Sequence, residues 1–165
     1  MKGNRMFLVL FSLGLLAGCG APVRIYNDID ESGSFESYAS YNFLEFTEGN
    51  KKTITDMELE RIKVAFAREI EQKGLKFSEI NPDVSLQITV YHRLAMTGYY
   101  YYPYRHNYME RAIAVDMYDN HTQKHVWHCA AVGELDYDPQ ARAAKLPELA
   151  AEIFKKYPLA PASDI

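Results

Sequence analysis

The 165-residue chain holds only two cysteines, Cys19 and Cys129. If Cys19 is spent on another bond, no disulfide can form within the chain, and the fold must rest on its core alone. No apolar run is long enough to cross a bilayer. The N-terminal one, residues 6–17, is about 12 residues, against the roughly 18 to 20 that a spanning helix needs. Excess positive charge is missing too: 18 basic residues face 22 acidic ones, a net charge of −4. That balance, with no basic stripe among the aromatics, argues against nucleic acid and against adsorption to anionic lipid by charge. The chain has no Gly-x-Ser-x-Gly elbow, no phosphate loop and no dinucleotide fingerprint. No internal repeat is visible. These absences remove the common catalytic and cofactor-binding signatures, and we expect no catalytic residue, no cofactor and no enzymatic activity.

What is present begins at the N-terminus. Lys2 and Arg5 precede the apolar run, and Leu16-Ala17-Gly18-Cys19 closes it. A charged start, an apolar stretch and small residues before a cut are the parts of a secretory signal. The cysteine directly after Ala17-Gly18 resembles the lipobox of bacterial lipoproteins. The resemblance implies that signal peptidase II recognises Leu16, Ala17 and Gly18, and that Cys19 carries lipid and becomes the first mature residue. Residues 1–18 would then be a signal peptide and 19–23 a lipidated tether. Each buried methylene is worth about 0.8 kcal/mol, and firm anchoring needs more than one chain, as a tri-acylated cysteine supplies. Gly20, where an Asp would imply inner-membrane retention, favours the outer membrane by the same resemblance, with the protein facing the periplasm. Losing Lys2 and Arg5 leaves 16 basic residues against 22 acidic, a mature charge of −6.

Residues 24–158 read as one α+β domain, followed by a flexible tail at 159–165. Arg24 to Ile29 is a short strand, and the aromatic-rich stretch from Phe35 to Phe43 is strand-prone. Residues 48–52 read as a loop. Thr55-x-x-Glu58 fits a capping box, in which the Thr oxygen takes one orphan amide and the Glu side chain reaches back to another. Leu59, Ile62, Phe66 and Ile70 then recur at helical steps, and Lys73-Gly74 closes the helix. Asn81-Pro82 turns the chain. Val84, Leu86, Ile88 and Val90 alternate with polar residues, as do Ile113, Val115 and Met117, which marks two strands with one buried face each. Residues 119–122 suit a hairpin turn, and the chain returns along Lys124 to Val132. In that return strand, Trp127, Cys129 and Ala131 compete with Val126, Ala130 and Val132 for the inner face. A last helix follows Asp138-Pro139: Pro147 suits a first helical turn, or the helix begins earlier, near Gln140, with a kink. The expected architecture is an antiparallel sheet of about four or five strands, with room for a mixed one, and two helices packed on one face.

Several segments now fall into a recognisable order: Phe35-x-x-Tyr38-x-Ser40-Tyr41, Lys73-Gly74, Asn81-Pro82-Asp83-Val84, Ile113 to Asp119, Lys124 to Trp127, and Ile153 to Pro158. The order resembles the bacterial envelope lipoproteins grouped as domain of unknown function 4136, over roughly residues 24 to 158. That family often carries a Tyr- and Gly-rich insert between its middle strands, and here the insert is almost free of glycine. The resemblance implies an envelope lipoprotein built from a sheet and two helices, and implies no reaction.

The insert holds six of the 13 tyrosines: Tyr99, Tyr100, Tyr101, Tyr102, Tyr104 and Tyr108. Tyrosine offers a flat apolar face and a polar tip, suited to proteins, glycans or small ligands. The same residues could instead strengthen a long hairpin. His121, His125 and His128 have ligand-like spacings, but those spacings serve helices. In a regular strand an offset of three puts His125 and His128 on opposite faces, so no metal site is expected. Asp116 falls on the wetter strand face, where an ion pair with Arg93 is possible. Cys129 beside His128 cannot form a nucleophile and base pair, because adjacent strand side chains point apart. The chain therefore reads as an outer-membrane lipoprotein that acts by contact with an envelope protein or other envelope component, with no nucleic-acid partner. A ligand- or glycan-binding module using the tyrosine segment and the open sheet face is the first alternative, and an envelope hydrolase the second.

Overall fold

The computed structural model describes residues 23–46, 49, 54–97 and 106–159. The signal segment, the tether, the loop at 48–52 apart from Gly49, and the tyrosines at 99–104 lie outside the described residues. So does the tail beyond Leu159. Six strands form one sheet: β1 (Arg24–Ile29), β2 (Ser40–Phe43), β3 (Lys76–Phe77), β4 (Val84–Thr97), β5 (His106–Asp119) and β6 (Lys124–Glu134). Two helices accompany them, α1 (Asp56–Gln72) and α2 (Pro139–Phe154). The strand order is β1-β6-β5-β4-β2-β3.

The meander β4-β5-β6 is antiparallel, as expected for strands joined by short turns, and β1 adds antiparallel to β6. The other end of the sheet departs from the expectation. β2 runs parallel to both β3 and β4, because α1 lies between β2 and the strands that follow and the chain re-enters in the same direction. The sheet is therefore mixed and has six strands. Its extra member, β3, is only two residues long, too short for any alternation to announce it. The stretch from Phe35 to Phe43 is also not one strand: Phe35–Ser37 is a turn of 3-10 helix, and only Ser40–Phe43 joins the sheet.

Both helices cover one face. Leu59, Ile62, Phe66 and Ile70 of α1 and Leu146, Ala150, Ile153 and Phe154 of α2 are buried there. They meet Leu86, Ile88 and Val90 of β4, Ile113, Val115 and Met117 of β5, and Trp127, Cys129 and Ala131 of β6. Trp127 thus takes the inner face, and its indole N–H donates to Asn27 Oδ1 at 2.8 Å. Around it the rings of Phe154 and Tyr157 stand at 5.4 and 5.2 Å, and Phe66 meets Phe154 at 5.6 Å. Burying one such ring is worth about 1.5–3 kcal/mol, so this cluster anchors α2 to the sheet.

The helix ends are partly as read. Thr55 Oγ1 accepts from the Glu58 amide at 3.3 Å, which is half of the capping box. The other half is absent, since the Glu58 carboxylate turns to two arginines instead. Gly74 adopts φ 95°, the left-handed conformation that ends α1. For α2 the first-turn proline is Pro139, capped by Asp138, which accepts from the Gln140 amide at 2.9 Å. Pro147 lies inside the helix rather than in its first turn.

Candidate functional site

Part of the motif order read from the sequence gathers at one end of the sheet, where Tyr38, Ser40, Asp83 and Asp119 bond to one another's segments. Asp83, just before β4, accepts through Oδ2 from the amides of Ala39 and Ser40 at 2.9 Å each and from Ser40 Oγ at 2.7 Å. These bonds hold the Asp83 carboxyl below the usual range, the Ser40 hydroxyl contributing most. Asp119, at the β5–β6 turn, accepts from the amides of His121 and Thr122 and from the hydroxyl of Tyr38 at 2.8 Å. Burial and that carboxylate push the Tyr38 phenol up to about 12. The side chains that carry the family likeness are thus the clasps joining β2, β4 and the β5–β6 turn.

A second polar group lies at the opposite end of the covered face. Glu58 in the first turn of α1 receives a two-pronged contact from Arg142 of α2, at 2.9 and 3.1 Å, and Arg111 of β5 at 2.8 Å. Burial raises the Glu58 carboxyl, but the Arg142 bonds and the Arg111 charge outweigh it and the net shift is downward. Arg111 Nε and His92 Nε2, from neighbouring strand positions, are buried and find no hydrogen-bond partner among the described residues. Burial first, and then the Arg111 charge, lowers the pKa of His92. Glu58, Arg111 and Arg142 border a groove of about 910 Å³ between the helices and the β6–α2 connection, also lined by Arg61, Glu134 and Asp136. The Glu58 carboxylate is fully engaged in tying α1, α2 and β5 together, so the group reads as a fastening.

The uncovered face is different. Asp116 of β5 and His125 and His128 of β6 converge there, with one candidate ligand atom from each within 4.8 Å of the other two. His128 Nδ1 stands 2.7 Å from Asp116 Oδ1, and His125 Nε2 stands 3.0 Å from the same oxygen. The expectation that His125 and His128 point to opposite faces fails for a definite reason. Pairing runs Met117 with Trp127 and then Tyr118 with His125, so Val126 is an extra residue in β6. Such a bulge inserts one position and restores the parity of the two histidines. The same residue explains why Val126 and Trp127, adjacent in sequence, are both buried. The expected ion pair of Asp116 with Arg93 is also absent. Arg93 bonds Glu110 at 2.5 Å instead, and Arg24 reaches that same carboxylate from β1.

Other predicted side chains fall as follows. Cys129 is buried against α2, its thiol donating to Ile153 O at 3.7 Å, while His128 faces the other way, so the two do not meet. Burial pushes the Cys129 thiol up to about 11, which keeps it protonated and unreactive. Cys19, Leu16, Ala17, Gly18, Tyr99, Tyr100, Tyr101, Tyr102 and Tyr104 lie outside the described residues. Tyr108 is in β5, paired with Ala95. The hairpin that leads to the tyrosines is longer than its neighbours. β6 is last paired at Glu134 with Glu110, and β2 last pairs at Leu86, whereas β4 and β5 continue to Thr97 and His106.

A family model described as domain of unknown function DUF4136 matches residues 25–159. The chain belongs to that family. No curated protein matches it. Among solved structures, this DUF4136 domain is similar to a PDZ domain protein from Parabacteroides distasonis, with a TM-score of 0.59 and 12% identity. That likeness covers 95% of this chain and 41% of the other, so this chain spans less than half the length of that relative. It is also similar to PelC from Paraburkholderia phytofirmans, solved as a dodecamer, with a TM-score of 0.51 and 9% identity over 84% of this chain and 100% of that one. At such identities the likeness is one of fold.

Proposed function

We propose that this DUF4136 protein is a lipid-anchored envelope protein, held in the outer membrane through Cys19, that works by contact and not by catalysis. The observation that carries the contact reading is the β4–β5 ribbon. Among the described residues, Ala95–Thr97 and His106–Tyr108 pair only with each other, beyond the reach of β2 and β6. Leu94, at the base of the ribbon, is more than half exposed. A two-stranded ribbon is marginal alone in water, and one whose strands flank a tyrosine-rich segment of the sequence is suited to being covered by a partner. The anchor rests on the run ending Leu16-Ala17-Gly18-Cys19, and the outer-membrane choice on Gly20. Among the described residues, no helix is long and apolar enough to cross a membrane.

Full-length protein and a Cys19→Ala variant are expressed in a Gram-negative host, and the membranes are fractionated. The expected result is a tri-acylated N-terminal peptide beginning at Cys19 in the outer-membrane fraction, lost in the variant. An unmodified N-terminus beyond residue 19 refutes the anchor. Contact is tested by in-cell crosslinking of the wild type and of a Tyr100→Ser, Tyr102→Ser, Tyr104→Ser variant. Loss of a crosslinked protein at unchanged melting temperature supports the reading. A large fall in melting temperature with the partner retained assigns the tyrosines to packing. Saturable binding of an isolated glycan, lost in the variant, would replace protein contact by glycan recognition.

A further inference from the structure

The geometry points to a binding site for a zinc-class divalent cation on the uncovered sheet face, formed by Asp116, His125 and His128. The donor set is two imidazole nitrogens and one carboxylate oxygen. Nitrogen donors of this kind suit zinc and its late first-row neighbours and do not suit calcium or magnesium, which take oxygen. The site depends on the Val126 bulge, which turns His125 to the same face as His128 and brings both against Asp116 from the neighbouring strand.

The three donor groups already meet at one oxygen. Asp116 Oδ1 is approached by two imidazole nitrogens, at 2.7 and 3.0 Å. His125 Nε2 also lies 3.1 Å from Trp127 O, so one nitrogen with at most one proton faces two oxygens. Tetrahedral zinc with bonds of about 2.0–2.1 Å places its ligand atoms about 3.3 Å apart, so the two Asp116–histidine separations need open only by a few tenths of an ångström. The two histidines, 44% and 36% exposed, can make that movement. A shift of each ring proton to the other nitrogen, which needs no change of net charge, frees the facing lone pairs. The Tyr118 ring stacks on His125 at 5.0 Å, which holds that imidazole in place. Asp28 of β1 is in register beside His128 and Gln87 of β4 beside Asp116, so further oxygen atoms flank the site. Three protein ligands leave a tetrahedral ion one position for water or for a donor from a binding partner.

The test uses the full chain in detergent, without a polyhistidine tag, titrated with zinc chloride by calorimetry and with cobalt(II) by visible absorption. The wild type is expected to bind one equivalent of zinc and to give the absorption bands of four- or five-coordinate cobalt. Asp116→Asn, His125→Gln and His128→Gln should each weaken zinc at least about tenfold, the loss that even outer-shell partners of a metal cause. His121→Ala, at the exposed β5–β6 turn, should bind as the wild type does. His125 is exposed enough that its variant keeps the fold, which circular dichroism verifies, so one informative variant remains if another misfolds. Zinc affinity in the wild type no greater than in His125→Gln overturns the proposal. So does a loss in His121→Ala as large as in the three ligand variants.

Discussion

Replacing Glu58 by Gln removes a carboxylate that two guanidiniums share. Arg111 is 11% exposed and Arg142 18% exposed, so neither recovers full hydration when the charge goes. Breaking a buried pair by deleting one partner typically costs about 3–5 kcal/mol. The lower end applies here, because Arg142 Nη1 keeps its bonds to the carbonyls of Asp136 and Tyr137 at 2.8 and 3.2 Å, and the Gln amide can accept one bond. We expect a loss of about 3 kcal/mol. With a urea slope of about 2 kcal/mol per molar, the unfolding midpoint falls by about 1.5 M at unchanged slope. The second arm adds Arg111→Met to Glu58→Gln. If the cost comes from a stranded guanidinium, removing that group should restore about 1–2 kcal/mol, since an apolar replacement for a buried ion pair is often neutral. A midpoint shift below about 0.5 M in Glu58→Gln, corresponding to about 1 kcal/mol, would refute the fastening role. A double variant less stable than the single one would show that the penalty does not lie in the unpaired charge.

Three further outcomes follow from the same structure. His92 has its pKa lowered by burial and then by Arg111, so the unfolded chain takes up a proton that the folded one resists. Its contribution is present above the unfolded value of about 6.5 and is lost as pH falls, so between about pH 6.5 and 5 the wild type should lose stability faster than His92→Gln, as urea midpoints at each pH will show; equal slopes would refute this. In a Cys19→Ala background, Cys129 should resist maleimide at pH 8 until urea is added, because its thiol is buried and raised to about 11; rapid native labelling would contradict the burial. Thr55→Ala should cost about 1 kcal/mol through loss of the bond to the Glu58 amide, read as a lower melting temperature, whereas Thr55→Ser should stay close to the wild type.

How far the fold could be read depended on element length and regularity. α1 was legible from its cap, its apolar steps and Gly74, and β4 to β6 from alternation and a tight turn, because local periodicity reports which side is buried. β3 was not, since two residues carry no period. The parallel pairing of β2 was hidden because strand direction is set by where α1 deposits the chain and leaves no local trace. For the histidine cluster, the residue types were visible and the geometry was not. Parity along a strand was the right rule applied to an irregular strand. Two adjacent apolar residues, Val126-Trp127, are a weak hint of a bulge, because a regular strand buries every second position.

The sequence alone carries the proposed export signal and anchor, and it determined the two amphipathic helices and the alternating strands, since each is encoded within a few consecutive residues; the family likeness lies in the order of several such segments. The tertiary structure decided the strand order, the diversion of Glu58 from its own helix end to Arg111 and Arg142, and the meeting of Asp116 with His125 and His128. Those are contacts between segments far apart in the chain, or displaced by one inserted residue, and only packing sets which of many available partners each side chain meets.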